Sequence, residues 1–114
     1  MKRQLITGLA ALFAILGLAA GGSAASKVGH LTATVGPGFT ISMNKKSVKH
    51  GTYTITVKDK SNIHNFHLTG PGVNKKTSVS AVKTSTWKVT LKKGTYKFVC
   101  DPHKTIMKGS FTVS

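Results

Sequence analysis

Many short stretches of the chain alternate apolar and polar residues, and Gly, Pro or Lys-Gly turns separate these stretches. In residues 52–58, for example, Tyr53, Ile55 and Val57 share one face. A period of two is that of a strand with one buried face. The pattern predicts an all-β Greek-key sandwich or barrel of about seven to eight antiparallel strands. The predicted strands are residues 30–35, 39–43, 52–58, 63–68, 86–91, 95–100 and 109–113, with residues 73–83 as a long crossover between sheets.

The first 25 residues differ from this pattern. Lys2 and Arg3 form a basic start, residues 5–20 are almost wholly apolar, and small residues follow, with Ser23 and Ala25 among them. This order is typical of a secretory signal peptide, which we expect to be cleaved after Ala25. The alternative is an uncleaved anchor that tethers the domain to the membrane, but the apolar run is short for a full span. The predicted organisation is therefore a signal peptide at 1–25 and one domain at 26–114.

The charge is strongly positive, with 17 basic residues against two acidic ones and a net charge of +15. Beyond residue 25 the chain has lysines but no arginine, and the lysines stand singly or in pairs. The absence of Arg from this part of the sequence argues against nucleic-acid binding, because Arg makes the bidentate base and phosphate contacts. Two interpretations remain open: a solvated cationic surface, or electrostatic steering toward an acidic partner.

Cys100 is the only cysteine, so the domain can form no internal disulfide. A lone thiol in an oxidising compartment needs an occupant, and a metal is one candidate. If residues 95–100 form a strand, Cys100 points inward with Tyr96 and Phe98. His103 and Met107 follow on the next loop.

The same parity applied to residues 63–68 points His64 inward with Phe66 and Leu68, and it points Asn65 and His67 outward. We therefore expect His67 to be a surface histidine. Two imidazoles and a thiolate in a trigonal plane, with a weak thioether above it, form the blue-copper set of ligands. The alternatives are that Cys100 is a small buried hydrophobe, that Met107 only fills the core, and that the same ligands take Zn²⁺.

Three segments carry a family resemblance: "IHNFHLTGPGV" at 63–73, "LKKGTYKFVCDPH" at 91–103 and "MKGSFTV" at 107–113. With them the chain resembles the cupredoxins, in particular the plastocyanin-like and amicyanin-like small blue copper proteins. The resemblance implies one type 1 copper ion held by His64, Cys100, His103 and an axial Met107. Three residues separate His103 from Met107, a spacing intermediate between the amicyanin-like and plastocyanin-like loops.

The resemblance also implies supporting residues. Asn65 would tie the two ligand loops together, and Asp101 stands where relatives often have Ser or Thr. We expect Asp101 to accept a hydrogen bond from Asn65 and, as an acid beside the thiolate, to lower the reduction potential. The exposed edge of His103 would lie in an apolar docking patch formed by Pro71, Val73, Pro102 and Ile106.

These features predict a monomeric one-electron carrier outside the cytoplasm, either periplasmic or secreted, that docks briefly with a redox protein. The alternative is a copper protein for storage or delivery, although the domain has only Met43 and Met107 as thioethers. An enzyme is not expected, because the sequence has no His-x-His or His-Cys-His pair for further copper ions.

Overall fold

The computed structural model describes residues 27–114, which form nine strands in two sheets. One sheet has the order β2-β1-β4-β7, and the other has the order β3-β9-β8-β5-β6. The predicted all-β sandwich is confirmed, whereas the predicted signal peptide at 1–25 lies outside the described residues. The strands are β1 Gly29–Val35, β2 Ile41–Met43, β3 Ser47–Val48, β4 Gly51–Asp59, β5 His67–Gly70, β6 Val73–Lys76, β7 Lys83–Leu91, β8 Gly94–Val99 and β9 Lys108–Val113, and a 3-10 helix spans Asp101–His103.

The strand pairing differs from the wholly antiparallel arrangement that the sequence pattern predicts. β1 pairs with β4 in parallel, and β3 pairs with β9 in parallel; the other pairings are antiparallel. Period-two alternation reports which face is buried but not the direction of the neighbouring strand. The parallel pairs join strands that are separated in sequence, and only the fold determines their direction.

Two predicted segments need correction. Residues 63–66 are not part of a strand, since β5 begins only at His67. The segment predicted as a crossover, residues 73–83, begins with strand β6 at Val73. β6 consists of one apolar residue followed by three polar ones, and β3 is only two residues long, so neither carries a detectable alternation.

The core lies between the two sheets. β1 buries alternate residues, and so does the second half of β4, where Ile55 and Val57 are fully buried. Tyr96 stacks on Phe111, with ring centroids 5.4 Å apart. Trp87 is partly buried and packs against the buried core residues. The buried apolar residues are Leu31, Ala33, Val35, Val48, Ile55, Val57, Phe66, Leu68, Val89, Leu91, Tyr96, Phe98, Cys100, Met107, Phe111 and Val113.

One end of the sandwich gathers three loops. β1 and β4 end side by side, with Val35 opposite Asp59. In the other sheet, Val99 at the end of β8 lies opposite both His67 and Lys108. The loops that leave or enter these strand ends, at residues 36–40, 60–66 and 100–107, therefore meet. Every candidate ligand lies on the last two of them. Within residues 27–114, no helix is long and apolar enough to span a membrane.

Candidate metal centre

His64 lies on the irregular segment between β4 and β5, and it is fully buried. Its ring packs against the turn after β1. A Cβ atom built on Gly36 would lie 3.4 Å from His64 Cδ2 and 3.0 Å from Ser61 Cβ. Gly36 has a φ of 67°, a conformation that glycine adopts at little cost. The absence of a side chain at this position thus lets the turn lie against the imidazole.

Cys100 and His103 come from one tight loop that follows β8. The backbone of Cys100 is extended, and the 3-10 helix starts directly after it, with Pro102 in its first turn. Proline suits that position because its missing N–H would have no helical partner. The His103 N–H donates to the Cys100 carbonyl at 3.0 Å, so the turn folds the imidazole back over the thiol.

Three ligand atoms converge at this end of the sandwich. Cys100 Sγ lies 3.7 Å from His64 Nδ1 and 3.5 Å from His103 Nδ1, and the two Nδ1 atoms are 3.2 Å apart. The point equidistant from all three lies about 2.0 Å from each, which is the length of a metal–nitrogen bond and slightly less than a metal–sulfur bond. The three residues could therefore hold one metal ion, and the donor set is compatible with one copper ion.

Met107 closes the same loop. Its N–H donates to the His103 carbonyl at 2.8 Å, and its carbonyl accepts from the Cys100 N–H at 3.0 Å. The side chain is fully buried in the cluster that contains Cys100. The loop thus places Met107 on the same short segment as Cys100 and His103, and its role as an axial ligand stays a prediction.

Asn65 connects the two ligand loops. Its Nδ2 donates to Asp101 Oδ2 at 2.9 Å and to the Thr77 carbonyl at 3.2 Å, while its Oδ1 accepts from the Asp101 N–H at 2.8 Å. The Asn65 N–H points at Cys100 Sγ from 3.5 Å, and such a donor disperses the charge of a thiolate. The predicted hydrogen bond from Asn65 to Asp101 is present. The outward orientation predicted for Asn65 is wrong, because it is only 2% exposed and its segment is not a strand.

The structure also corrects the prediction that His67 is a simple surface histidine. Its side chain is 21% exposed, and both ring nitrogens have partners. Nδ1 lies 2.8 Å from Asp101 Oδ1, and Nε2 lies 2.7 Å from Asn74 Oδ1. Burial by itself would raise the pKa of Asp101, but hydrogen bonds from Asn65 and His67 and the charges of His67 and Lys76 hold that pKa below its ordinary value.

A second acid lies behind the site. Asp59 is 4% exposed, and its Oδ1 accepts the Ser61 N–H at 3.0 Å. In the described part of the chain, Asp59 Oδ2 and His64 Nε2 are the only buried side-chain polar atoms without a hydrogen-bond partner. Burial raises the pKa of Asp59, an effect that the Ser61 hydrogen bond and the charge of His64 only partly offset.

Phe39 is a site residue that the sequence analysis missed. Its ring stacks on His103 with centroids 4.9 Å apart and meets His64 edge-on at 5.1 Å. The Gly36 N–H donates to the Thr40 carbonyl at 2.8 Å, and this turn presents the ring. Phe39 is nevertheless 53% exposed, so it covers the imidazoles on one side and contacts solvent on the other. The signal available in the sequence was an aromatic residue directly after a Gly-Pro-Gly turn.

The predicted docking patch is divided by the fold. Pro102 and Ile106 are exposed on the loop that carries His103, and Ile106 is 61% exposed. Pro71 and Val73 lie at the opposite end of the sheet, because β5 runs away from the site and its hairpin packs beside Gly94 at the start of β8. That end is roughly 17 Å from the site, the rise along a six-residue strand. Pro71 and Val73 therefore do not belong to an apolar rim around His103.

Comparisons with known proteins agree with this architecture. A family model described as "Cupredoxin-like domain" matches residues 8–113. Rusticyanin in its reduced form is similar with a TM-score of 0.60 and 24% identity, covering 80% of this chain and 82% of that one. Auracyanin A, a "blue" copper protein from Chloroflexus aurantiacus, gives 0.56 and 20%, covering 77% and 100%. A methionine-to-glutamine mutant of amicyanin with Cu(I) gives 0.55 and 22%, covering 75% and 83%. No curated protein matches the chain significantly. The match over most of the sequence and the shared sandwich lead to one conclusion: the chain belongs to the cupredoxin-like family.

Proposed function

We propose that this protein is an exported type 1 copper protein that carries single electrons between redox partners. The observation that supports it best is the triangle of His64 Nδ1, Cys100 Sγ and His103 Nδ1, with edges of 3.2–3.7 Å. A bound copper ion would supply a one-electron couple between Cu(II) and Cu(I). Of the similar structures, auracyanin A is a "blue" copper protein, and the amicyanin mutant holds Cu(I).

The candidate ligands differ in their exposure to solvent. His64 and Cys100 are fully buried and would hold the ion away from solvent, while His103 is only partly buried. Electrons would therefore enter and leave through His103, beside the exposed apolar side chains Phe39, Pro102 and Ile106. A small apolar contact of this kind suits a brief encounter rather than a stable complex. Met107 is proposed as the weak axial ligand that tunes the potential.

The lysines are proposed to speed the encounter with an acidic partner. Lys104 directly follows His103, and Lys60 and Lys108 lie on the loop and strand that border the same end of the sandwich. If this charge steers association, the rate of electron transfer falls as ionic strength rises, since a Debye length shrinks from about 10 Å at 0.1 M to about 3 Å at 1 M salt. A solvated surface without a steering role predicts a rate independent of salt.

Copper storage or delivery is the second candidate, on the observation that Cys100 is free and buried among the imidazoles. Storage favours several sites for Cu(I), whereas the described residues hold one cluster of potential ligands. The electron-carrier function is therefore preferred.

The test begins with metal-free protein and one equivalent of Cu(II). The expected result is an intense visible thiolate-to-copper absorption band that disappears with ascorbate and returns on oxidation. Cys100→Ser should abolish the band, and the control His30→Gln, at an exposed histidine on β1, should retain it. Copper binding without the band would contradict thiolate ligation and favour copper handling. No binding at all would reject both functions.

A further inference from the structure

Two buried polar atoms beside the metal centre lack a hydrogen-bond partner. Within residues 27–114 they are Asp59 Oδ2 and His64 Nε2, and no other buried side-chain nitrogen or oxygen of this part of the chain is without one. Asp59 is 4% exposed, and His64 is fully buried. Folded proteins satisfy nearly all buried polar atoms, either with protein groups or with ordered water. Two exceptions at the same end of the sandwich therefore point to a connection between them.

The turn after β1 brings the two residues together. Asp59 lies opposite Val35 on the neighbouring strand, and Gly36 follows Val35 directly. A Cβ atom built on Gly36 would lie 3.0 Å from Ser61 Cβ and 3.4 Å from His64 Cδ2, the ring carbon that is bonded to Nε2. Asp59 Oδ1 in turn accepts the Ser61 N–H at 3.0 Å. The carboxylate and the Nε2 edge of the imidazole are therefore both close to Ser61.

The way in which His64 binds a metal determines what its other nitrogen needs. Ligation through Nδ1 leaves the single proton of the neutral ring on Nε2, and this N–H requires an acceptor. Ligand histidines almost always donate that hydrogen to a carboxylate, a backbone carbonyl or a water, which fixes the orientation of the ring and makes its ligating nitrogen a stronger donor. The unpartnered oxygen of Asp59 is an acceptor of this kind.

We infer that Asp59 is a positioning residue for the metal ligand His64, accepting the Nε2 hydrogen through one buried water. The two atoms make no direct hydrogen bond, and a water that accepts from Nε2 and donates to Oδ2 satisfies both. Because a water can donate and accept, the bridge does not depend on which ring nitrogen carries the proton in the metal-free protein. The inference rests on the proposed copper site, since His64 must bind the ion through Nδ1.

The bridge also accounts for an acid at this position of the strand. The buried residues of β4 are Ile55, Val57 and Asp59, which recur with a period of two on the face toward the core. A third aliphatic residue would continue this pattern. Burial instead raises the pKa of Asp59, which means that its ionised form is disfavoured in the fold. Packing alone therefore gives no reason for a carboxylate here, whereas a ligand histidine that needs an acceptor does.

Three variants separate positioning from packing. Asp59→Leu removes both carboxylate oxygens, whereas Asp59→Asn keeps an amide oxygen as an acceptor. The matched control is Ser61→Ala, which removes the hydroxyl that accepts the Ile63 N–H at 3.2 Å but leaves the Ser61 N–H for Asp59. Urea unfolding of the metal-free proteins shows that each variant is folded. The affinity for Cu(II) is then measured by competition with a chelator.

We expect Asp59→Leu to weaken the binding of Cu(II) by about 10-fold to 100-fold, the usual effect of removing the partner of a ligand histidine. The loss should be smaller in Asp59→Asn, because the amide oxygen still accepts, and the affinity of Ser61→Ala should equal that of the wild type. An unchanged affinity in D59L would overturn the inference. An equal loss in S61A would do the same, because it would assign the effect to the turn and not to the carboxylate.

NMR of the nitrogen-15-labelled protein loaded with Cu(I) reports the hydrogen bond itself. The Nε2–H of His64 should give a separate, slowly exchanging signal near neutral pH in the wild type and in S61A, because a buried and bonded proton is protected from solvent. The proton signal should move upfield in D59L and by less in D59N. The same chemical shift in the wild type and D59L would show that another group accepts this hydrogen, and it would overturn the inference. The proposed function fails on a different observation, the absence of the thiolate-to-copper band in the wild type.

Discussion

Asn65→Ala is the most informative single perturbation of the site, because Asn65 joins the segment before β5 to the loop after β8. The substitution removes three side-chain hydrogen bonds of 2.8–3.2 Å, of which one goes to the Asp101 carboxylate. It also leaves the partly buried Asp101 N–H without its partner. No ligand atom is changed, so the effect on the site must act through position.

The expected loss in the free energy of unfolding is the sum of the contributions of the lost hydrogen bonds. Two neutral hydrogen bonds at about 1 kcal/mol each and one to a charged group at about 1.5–3 kcal/mol give about 3.5–5 kcal/mol. With a urea m-value of about 1–1.5 kcal/mol/M for a small domain, the midpoint should fall by about 2–5 M. Because small domains are stable by only about 5–15 kcal/mol, this loss is a large part of the whole.

The assay is urea unfolding of metal-free protein, followed by tryptophan fluorescence from Trp87 and by circular dichroism. The matched control is Asn62→Ala, an exposed asparagine in the neighbouring turn, which should change stability by less than about 0.5 kcal/mol. A loss below about 1 kcal/mol in N65A, or an equal loss in N62A, would refute the view that Asn65 holds the two ligand loops together.

Three further predictions concern the surroundings of the site. Phe39→Leu removes the ring stacked on His103 and should speed the extraction of copper by a chelator about fivefold. A fivefold change corresponds to about 1 kcal/mol, the contribution of an aromatic pair. The control Ile63→Leu, at another exposed apolar residue, should leave the extraction rate unchanged. Met107→Leu should raise the reduction potential and Met107→Gln should lower it, because an oxygen donor stabilises Cu(II); equal potentials would assign Met107 to the core alone. The pKa of Asp59 is raised by burial, so the folded state binds more protons than the unfolded state between the ordinary pKa of 3.8 and the raised value, and stability falls as pH rises through that window. Asp59→Asn should remove this loss and stabilise the metal-free protein at pH 7 in urea unfolding, and a less stable D59N would contradict the sign. Asp59→Leu is the comparison variant, which also removes the Ser61 hydrogen bond.

The sequence predicted the strands of the core because most of their buried residues recur with a period of two. Ile55 and Val57 on β4 and Tyr96 and Phe98 on β8 were predicted to point inward, and all four are buried. The sequence pattern did not predict β3 or β6, because these strands are defined by backbone hydrogen bonds to other strands and not by alternating side chains. The relative direction of paired strands could not be predicted either, since the parallel pair of β1 and β4 has the same side-chain alternation as an antiparallel pair.

At the site, local parity was less reliable outside the strands. It pointed Cys100 and His64 inward, and both are fully buried, but it pointed Asn65 outward although residues 64–66 are irregular and Asn65 is buried. The partners that make burial of Asn65 favourable, Thr77 and Asp101, lie 12 and 36 residues away. Pro71 was wrongly predicted to lie beside His103 for the same reason, because its spatial neighbours are set by strands distant in sequence. Four strand residues carry the chain roughly 13 Å from His67 toward the far end, a distance that sequence proximity hides.

The hydrogen bonds of the ligand loops favour electron transfer over the other functions of a copper protein. Electron transfer is fast when the ligands need not move between oxidation states, so the geometry must be held by the protein. Cys100 and His103 are fixed by backbone bonds within residues 100–107, and Asn65 connects that loop to the segment of His64. These bonds use atoms other than the three ligand atoms, so they persist whatever charge the centre carries. A storage site gains nothing from such rigidity, because release of the ion requires ligands that can separate. Loosening the loops, as in N65A, should therefore slow electron exchange more than it weakens copper binding.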